Sequence, residues 1–173
     1  MSTDDHLAFL SLGSNISPEQ YLPAAVARLR EVGTVLKTSQ VWQSAPVGDP
    51  NQPDYCNAAV LFATSLAPAD LKQTLREIER QLGRHRDPQQ RCAPRTIDID
   101  LTLYDELDQE FGGGRVPDPE LFTRPFVAGP LAELSPEYRV PGSNRTLAAI
   151  ADALGHASLS LRVDIPLDSK SNA

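Results

Sequence analysis

The sequence has little of what secreted, zinc-binding or membrane-spanning proteins require. Its two cysteines, Cys56 and Cys92, lack the spacing of a metal motif, and although a single disulfide stays open, they do not form a secreted framework. The three histidines are scattered along the chain, which argues against a zinc site. No apolar run has the length of a membrane span, and the polar first residues do not resemble a signal peptide. We therefore expect a cytoplasmic protein that does not bind membranes.

Several common catalytic motifs are also missing. No Gly-x-x-x-x-Gly-Lys segment occurs, which excludes a P-loop, and neither a serine nor a cysteine lies in a nucleophile elbow. The formal net charge of −7 argues against unspecific binding of nucleic acid. A metal-assisted phosphoryl-type transfer without a covalent enzyme intermediate is consistent with what remains.

The length and composition predict one globular domain. The chain has 173 residues, of which 40% are hydrophobic. We expect a single domain over residues 1–168, a polar tail at 169–173 and a monomer.

The order of predicted elements is strand, helix, strand, strand, helix, strand. This order is typical of an α+β fold with a ferredoxin-like βαββαβ core, in which an antiparallel sheet carries its helices on one face. C-terminal additions follow, namely a helix at 147–154 capped by Thr146 and a late strand at 159–165. The core strands are predicted at 7–12, 35–42, 55–64 and 97–103, and the helices begin at Pro18 and Pro68 and end at Gly33 and Gly83.

The last core strand carries the most informative pattern in the chain. Apolar residues alternate with polar ones, so that Ile97, Ile99, Leu101 and Leu103 are predicted on one face. Asp98 and Asp100 then share the other face, roughly 7 Å apart. Two such carboxylates can hold divalent cations and the phosphates that those cations carry, although a solvated sheet face is the alternative. Because like charges repel, we expect removal of either carboxylate to leave the fold intact.

Two further sets of polar residues are candidates for the same site. Arginine side chains suit phosphate oxygens, and a loop that carries them can close over a nucleotide. Tyr55 and Asn57 face the same way on their strand, where a tyrosine can stack on a flat heterocycle and an amide can read its edge. The alternatives are a tyrosine in the core and an asparagine that caps a turn. The arginines of the 84–94 loop and its end are Arg84, Arg86, Arg91 and Arg95.

Five short segments of the chain together match one known family. They are Leu10–Asn15, Gln52–Val60, Ile78–Glu79 through Gly83–Arg86, Pro94–Asp100, and Arg124–Phe126 followed by Pro130–Leu131. With these segments the chain resembles the 6-hydroxymethyl-7,8-dihydropterin pyrophosphokinase family of the folate pathway. The resemblance covers roughly residues 7–136, and a chance match to all five segments is very improbable. It implies the ferredoxin-like fold and transfer of a pyrophosphoryl group from ATP to the hydroxymethyl oxygen of the reduced pterin, releasing AMP.

The resemblance also implies roles for individual residues. Asp98 and Asp100 match the ligands of two Mg²⁺ ions, and Arg84, Arg86 and Arg95 match catalytic arginines that contact phosphates. Tyr55 and Phe126 would sandwich the pterin, while Asn57 bonds its edge. The remaining pterin contacts implied are Ser44, Ala45 and Val47, and the remaining ATP contacts are Arg76, Glu79 and Arg124, beside Arg84 and Arg95.

The sequence departs from the family pattern near the nucleotide. Asp118 stands where the family usually carries a histidine that contacts ATP, and Cys92 and Ala93 replace an aromatic residue and a glycine. An anion near phosphate should weaken nucleotide binding unless a metal or Arg115 compensates. Two alternatives therefore remain beside the pyrophosphokinase: a non-catalytic pterin- or nucleotide-binding paralogue, and a metal-dependent transferase with another acceptor.

Overall fold

A computed structural model describes residues 5–85 and 93–168 of the chain. The predicted catalytic arginine Arg86, together with Arg91, Cys92 and the tail at 169–173, lies outside the described residues.

The described chain alternates strands and helices in the predicted order. The strands are β1 (His6–Ser14), β2 (Thr34–Thr38), β3 (Trp42–Ser44), β4 (Tyr55–Thr64), β5 (Asp98–Tyr104), β6 (Gln109–Phe111), β7 (Gly114–Val116), β8 (Arg139–Val140), β9 (Arg145–Thr146) and β10 (Ser160–Leu161). The helices are α1 (Pro18–Val32), α2 (Pro68–Gln81), α3 (Pro125–Leu134) and α4 (Leu147–Leu154), with a 3₁₀ helix at Pro119–Phe122.

The main sheet has six antiparallel strands in the order β10-β3-β4-β1-β5, and β2 also pairs with β4. This topology confirms the predicted ferredoxin-like core. The single strand expected at 35–42 is divided into β2 and β3. The division falls at Ser39, whose hydroxyl, in place of a backbone carbonyl, accepts a hydrogen bond from the backbone N–H of Ala59 at 2.8 Å.

The sheet separates two hydrophobic clusters. On one face, α1 and α2 pack against residues such as Leu10, Val60 and Ile99. On the other face, α3 and α4 cover residues such as Phe9 and Leu61. The C-terminal helices therefore cover only part of the second face, and the rest of that face is left for a cavity.

A bulge in β5 corrects the predicted face of Leu103. Phe9 pairs with Leu103 whereas Leu10 pairs with Leu101, so that Thr102 is an extra residue on β5. Leu101 consequently packs with α2, whereas Leu103 packs with α3 and α4. Alternation along the sequence cannot reveal this change of face, because an inserted residue shifts the period by one position.

The C-terminal segment returns to the edge of the sheet. The late strand expected at 159–165 is reduced to β10, which pairs with β3. Beyond it, Ile165 and Leu167 enter the core cluster beside α1 and α2. Asp168 accepts a hydrogen bond from Arg30 at 2.7 Å. Within the predicted strand, Ile165 is buried, whereas Leu161 is 41% and Val163 80% exposed, so the alternation does not mark one buried face.

Among the described residues, no helix combines the length and apolar character that crossing a bilayer requires.

Candidate active site

A cavity of about 230 Å³ opens on the part of the sheet that α3 and α4 leave uncovered. Its floor comes from β1, β4 and β5, and its walls come from the loop after β3, the 3₁₀ helix and the start of α3. The lining residues are Ser11, Leu12, Gly13, Ser44, Ala45, Val47, Tyr55, Asn57, Arg95, Asp98, Asp100, Thr102, Asp118, Glu120, Phe126 and Val127.

Strand β5 presents Asp98 and Asp100 to this cavity. They pair across the sheet with Gly13 and Ser11 of β1, so the two carboxylates stand on the same face as predicted. The carboxylate of Asp98 accepts hydrogen bonds from Arg84 through Oδ1 and from Arg95 through Oδ2. The prediction that Asp98 is an unpaired anion repelled by Asp100 is therefore wrong, because the guanidinium groups of Arg84 and Arg95 neutralise Asp98.

The pKa of Asp98 depends on two opposing effects, burial and the charges of the arginines. Burial alone would raise the pKa of the carboxyl, but the positive charges of Arg84 and Arg95 outweigh burial and hold the pKa below its ordinary value. Asp98 is consequently an anion throughout the neutral range. When a phosphate binds in the cavity, the arginines can pass from Asp98 to the phosphate oxygens, and Asp98 can then bind a metal cation that the phosphate carries.

Arg84 and Glu79 lie behind Asp98 and do not line the cavity. The side chain of Glu79 is 1% exposed and that of Arg84 is 8% exposed. Glu79 Oε1 accepts hydrogen bonds from Arg84 Nη1 at 2.6 Å and from the backbone N–H of Ile99 at 2.7 Å. Both side chains therefore fasten the end of α2 to β5, and their predicted contacts with ATP stay predictions.

Asn15, which directly follows β1, contacts two other segments of the chain, although the sequence showed it only as the end of a motif. Its Oδ1 accepts a hydrogen bond from the backbone N–H of Arg95 at 2.7 Å. Its Nδ2 donates to Gln52 Oε1 and to the carbonyl of Pro53, each at 3.2 Å. Asn15 is 4% exposed, so these bonds fix the loop before β4 against the start of β5.

The predicted pterin residues line the same cavity. Tyr55 and Phe126 both line it, which excludes the reading of Tyr55 as a core residue. Asn57 does not cap a turn, since its Nδ2 donates to Ser44 Oγ at 2.9 Å and to the carbonyl of Trp42 at 3.2 Å. Its Oδ1 accepts no hydrogen bond from the described residues, which leaves an acceptor for a ligand. Ala45 and Val47 complete this wall.

Asp118 and Glu120 add two acids to the cavity that the roles assigned from sequence did not include. Asp118 caps the 3₁₀ helix by accepting a hydrogen bond from the backbone N–H of Glu120 at 2.8 Å. Burial raises the pKa of both carboxyls, and the negative charge of Asp100 adds to this effect. The Asp118-Pro119 pair, typical of a helix start, was the available signal in the sequence.

The other predicted ATP contacts lie outside the cavity lining. Arg76 is exposed on α2, with its guanidinium next to Gly113 of the hairpin formed by β6 and β7. Arg124 precedes α3 at its N-terminal end, where its charge acts on Glu120. Neither position contradicts a role in binding a triphosphate that extends beyond the cavity.

The carboxylates of Asp98 and Asp100 suit Mg²⁺ better than a metal that is coordinated by protein side chains alone. Carboxylate oxygens are hard donors, and Mg²⁺ is commonly held by one or two carboxylates together with substrate phosphates. Asp100 Oδ2 accepts no hydrogen bond from the described residues. Within residues 5–85 and 93–168, no group of three or more histidine, cysteine, aspartate or glutamate side chains could hold a metal by itself.

The ferredoxin-like sheet thus carries one cavity lined by carboxylates, an arginine and two aromatic side chains. This combination is typical of enzymes that transfer phosphoryl groups to small molecules. The profile of the 7,8-dihydro-6-hydroxymethylpterin-pyrophosphokinase (HPPK) family matches residues 9–136. The chain therefore belongs to this pyrophosphokinase family.

Curated relatives extend the similarity over most of the chain. The 2-amino-4-hydroxy-6-hydroxymethyldihydropteridine pyrophosphokinase of Synechocystis is 37% identical over 149 residues, which cover 85% of this chain and 75% of the relative. The enzyme of the same name from Bacillus subtilis is 40% identical over 133 residues, covering 75% and 78%.

A solved structure shows the same fold. Wild-type HPPK-DHPS of Plasmodium falciparum with pteroate superposes with a TM-score of 0.68 at 13% identity, covering 86% of this chain and 42% of that chain. The chain thus spans less than half of that longer protein.

Proposed function

We propose that the protein catalyses, in this cavity, transfer of the pyrophosphoryl group of ATP to 6-hydroxymethyl-7,8-dihydropterin. Asp98 and Asp100 hold the divalent cations that this reaction requires. The family and its curated members support this reaction, a step of folate biosynthesis. The single observation that carries the proposal is that one cavity joins this carboxylate pair to Tyr55, Asn57 and Phe126. Nothing in the comparisons favours the two alternatives.

The pterin end of the cavity orients the acceptor. Tyr55 and Phe126 offer flat faces for the ring, and Asn57 offers Oδ1 as an acceptor because its Nδ2 is already engaged. Ser44, Ala45 and Val47 close the same wall. Fixing the ring in this way places the hydroxymethyl oxygen toward the carboxylates and lowers the entropic part of the barrier.

The phosphate end of the cavity holds the donor. Arg95 lines the cavity with a side chain that is 30% exposed, so its guanidinium can pass from Asp98 to a phosphate oxygen. Two Mg²⁺ ions at Asp98 and Asp100, when bound, supply positive charge that neutralises the phosphates. The hydroxymethyl oxygen attacks the β-phosphorus and releases its proton to water. The bond from that phosphorus to the α–β bridging oxygen breaks, and AMP leaves with this oxygen.

Product analysis tests the reaction directly. The protein, ATP, Mg²⁺ and the reduced pterin alcohol should yield AMP and the pterin pyrophosphate in equal amounts, as measured by chromatography. Chelation of the metal should stop the reaction, and a return of Mg²⁺ should restore it. Formation of ADP instead, or no product from a folded preparation that binds both substrates, would contradict the proposal.

Matched variants test the residues. We expect Asp100→Asn to lower kcat by at least about a hundredfold, whereas Phe126→Ala should act mainly on the KM for the pterin. A cytoplasmic location and a monomeric state stay predictions from the sequence, which fractionation of cells and analytical ultracentrifugation would test.

A further inference from the structure

We propose that Lys72 is a further residue of the transfer site: it occupies Asp100 before the divalent cation arrives and then binds the phosphate that the cation carries. This inference rests on the proposed function, because it assumes that Asp100 holds a cation. Neither the motif segments nor the cavity lining includes Lys72.

The geometry places the ammonium group of Lys72 directly on the carboxylate. Lys72 Nζ donates to Asp100 Oδ1 at 2.6 Å, and the lysine side chain is only 13% exposed. Asp100 belongs to β5, the edge strand of the sheet, and α2 packs against that strand. The edge position explains how a lysine on the helix reaches a carboxylate that lines the cavity.

The hairpin of β6 and β7 covers the aliphatic part of Lys72. A Cβ atom at Gly113 would lie 3.6 Å from Lys72 Cγ, and Gly113 has a φ of +121° that glycine tolerates best. The close approach of this backbone keeps the lysine stem beside β5. The ammonium group is therefore held near the carboxylates, whereas an ordinary surface lysine samples many positions.

The charges around the cavity show why a cation is needed there. Arg84 and Arg95 both donate to Asp98, and Arg95 also interacts with Asp100 through its charge. Lys72 donates a hydrogen bond directly to Asp100, and its positive charge also acts on Asp118. Asp118 lines the same cavity, so Lys72 also offsets this second negative charge.

The chemistry of the side chain suits an exchange of partners. An ammonium group is a compact point charge with three donors, and it binds carboxylate and phosphate oxygens alike. A divalent cation that binds Asp100 competes with Nζ for the same carboxylate. The released ammonium group then lies beside the phosphates, where its charge stabilises the bound nucleotide.

This exchange predicts effects of opposite sign on two ligands. Without nucleotide, Lys72→Met should bind Mn²⁺ about fivefold more tightly than the wild type, because the competing cation is gone. With the non-hydrolysable analogue α,β-methylene-ATP, the same variant should bind the Mn²⁺–nucleotide complex about fivefold more weakly, because a phosphate contact is lost. Electron paramagnetic resonance of free Mn²⁺ measures both affinities without any turnover.

Three further proteins complete the experiment. Lys72→Arg keeps the charge and should stay within twofold of the wild type for Mn²⁺ alone. Lys37→Met is the matched control, since Lys37 donates to the carbonyl of Leu134 on another element. Asp100→Asn should lose Mn²⁺ binding in the presence of the nucleotide, which tests the metal site independently of Lys72.

The outcomes separate the two hypotheses. Equal Mn²⁺ binding by Lys72→Met and the wild type, including no binding by both, overturns the exchange and leaves a structural ion pair between α2 and β5. A change of the same sign for both ligands overturns it as well. If Asp100→Asn binds the Mn²⁺–nucleotide complex as the wild type does, the metal role of Asp100 fails, and with it the proposed function.

Discussion

Asp98 and Asp100 stand two residues apart, yet their replacement should affect stability very differently. Asp98→Asn keeps the shape of the side chain but removes the negative charge that neutralises Arg84 and Arg95. Breaking a buried ion pair by removing one partner costs about 3–5 kcal/mol. Arg84 retains Glu79, and Arg95 is 30% exposed, so we expect a smaller loss of about 2 kcal/mol.

Asp100→Asn should lower the free energy of unfolding by less than about 1 kcal/mol. The Asp100 side chain is 43% exposed and pairs with one lysine, which places it among the ion pairs that water screens. Both variants should lose most of the activity. Urea unfolding at pH 7, followed by circular dichroism, measures the difference between them.

The pH dependence supplies a second check on Asp98. Because the fold lowers the pKa of this carboxyl, its contribution to stability is complete above the ordinary value of 3.8 and is lost as the pH falls below it. The stability gap between the wild type and Asp98→Asn should therefore close in acid. The reasoning is refuted if Asp98→Asn unfolds at the wild-type urea concentration at pH 7, or if Asp100→Asn is destabilised equally.

Three other predictions follow from the described contacts. Asp118→Asn keeps the cap but removes a carboxylate whose pKa the fold raises, chiefly by burial, so its melting temperature should exceed that of the wild type at neutral pH; the gain should vanish below pH 3.8, and no gain at pH 7 would contradict this. Ile165→Ala should cost about 2–4 kcal/mol in urea unfolding, whereas Val163→Ala, at an 80% exposed position, should cost almost nothing; equal losses would refute the core role of the segment. Phe126→Ala should raise the pterin KM at least about tenfold with a smaller effect on the KM for ATP, and equal effects would argue against ring stacking.

The sequence predicted the parts of the fold that depend on short-range pattern. The helices α1 and α2 begin at the prolines that the sequence indicated, because proline suits the first turn of a helix. Asp98 and Asp100 share a face because side chains alternate along a strand. The same rule placed Leu103 on the wrong face, since the extra residue Thr102 interrupts the period.

The partners of the charged residues could not be predicted in the same way. Lys72 and Asp100 are 28 residues apart along the chain, and their contact depends on how α2 lies along the edge strand. Asn15 and Arg95 are 80 residues apart and meet because β1 and β5 are neighbours in the sheet. No short-range pattern in the sequence indicates either of these two contacts.

The order of the core strands and helices, the shared face of the two carboxylates and the family of the chain could all be predicted from the amino-acid sequence. These features depend on side-chain periodicity and on short motifs, and both can be recognised from a few neighbouring residues. The cations that contact these carboxylates depend on the folded sheet, in which Arg84 and Arg95 donate to Asp98 and Lys72 donates to Asp100. Ion pairs act over a few ångströms in space, and only the folded sheet brings these distant groups within that range.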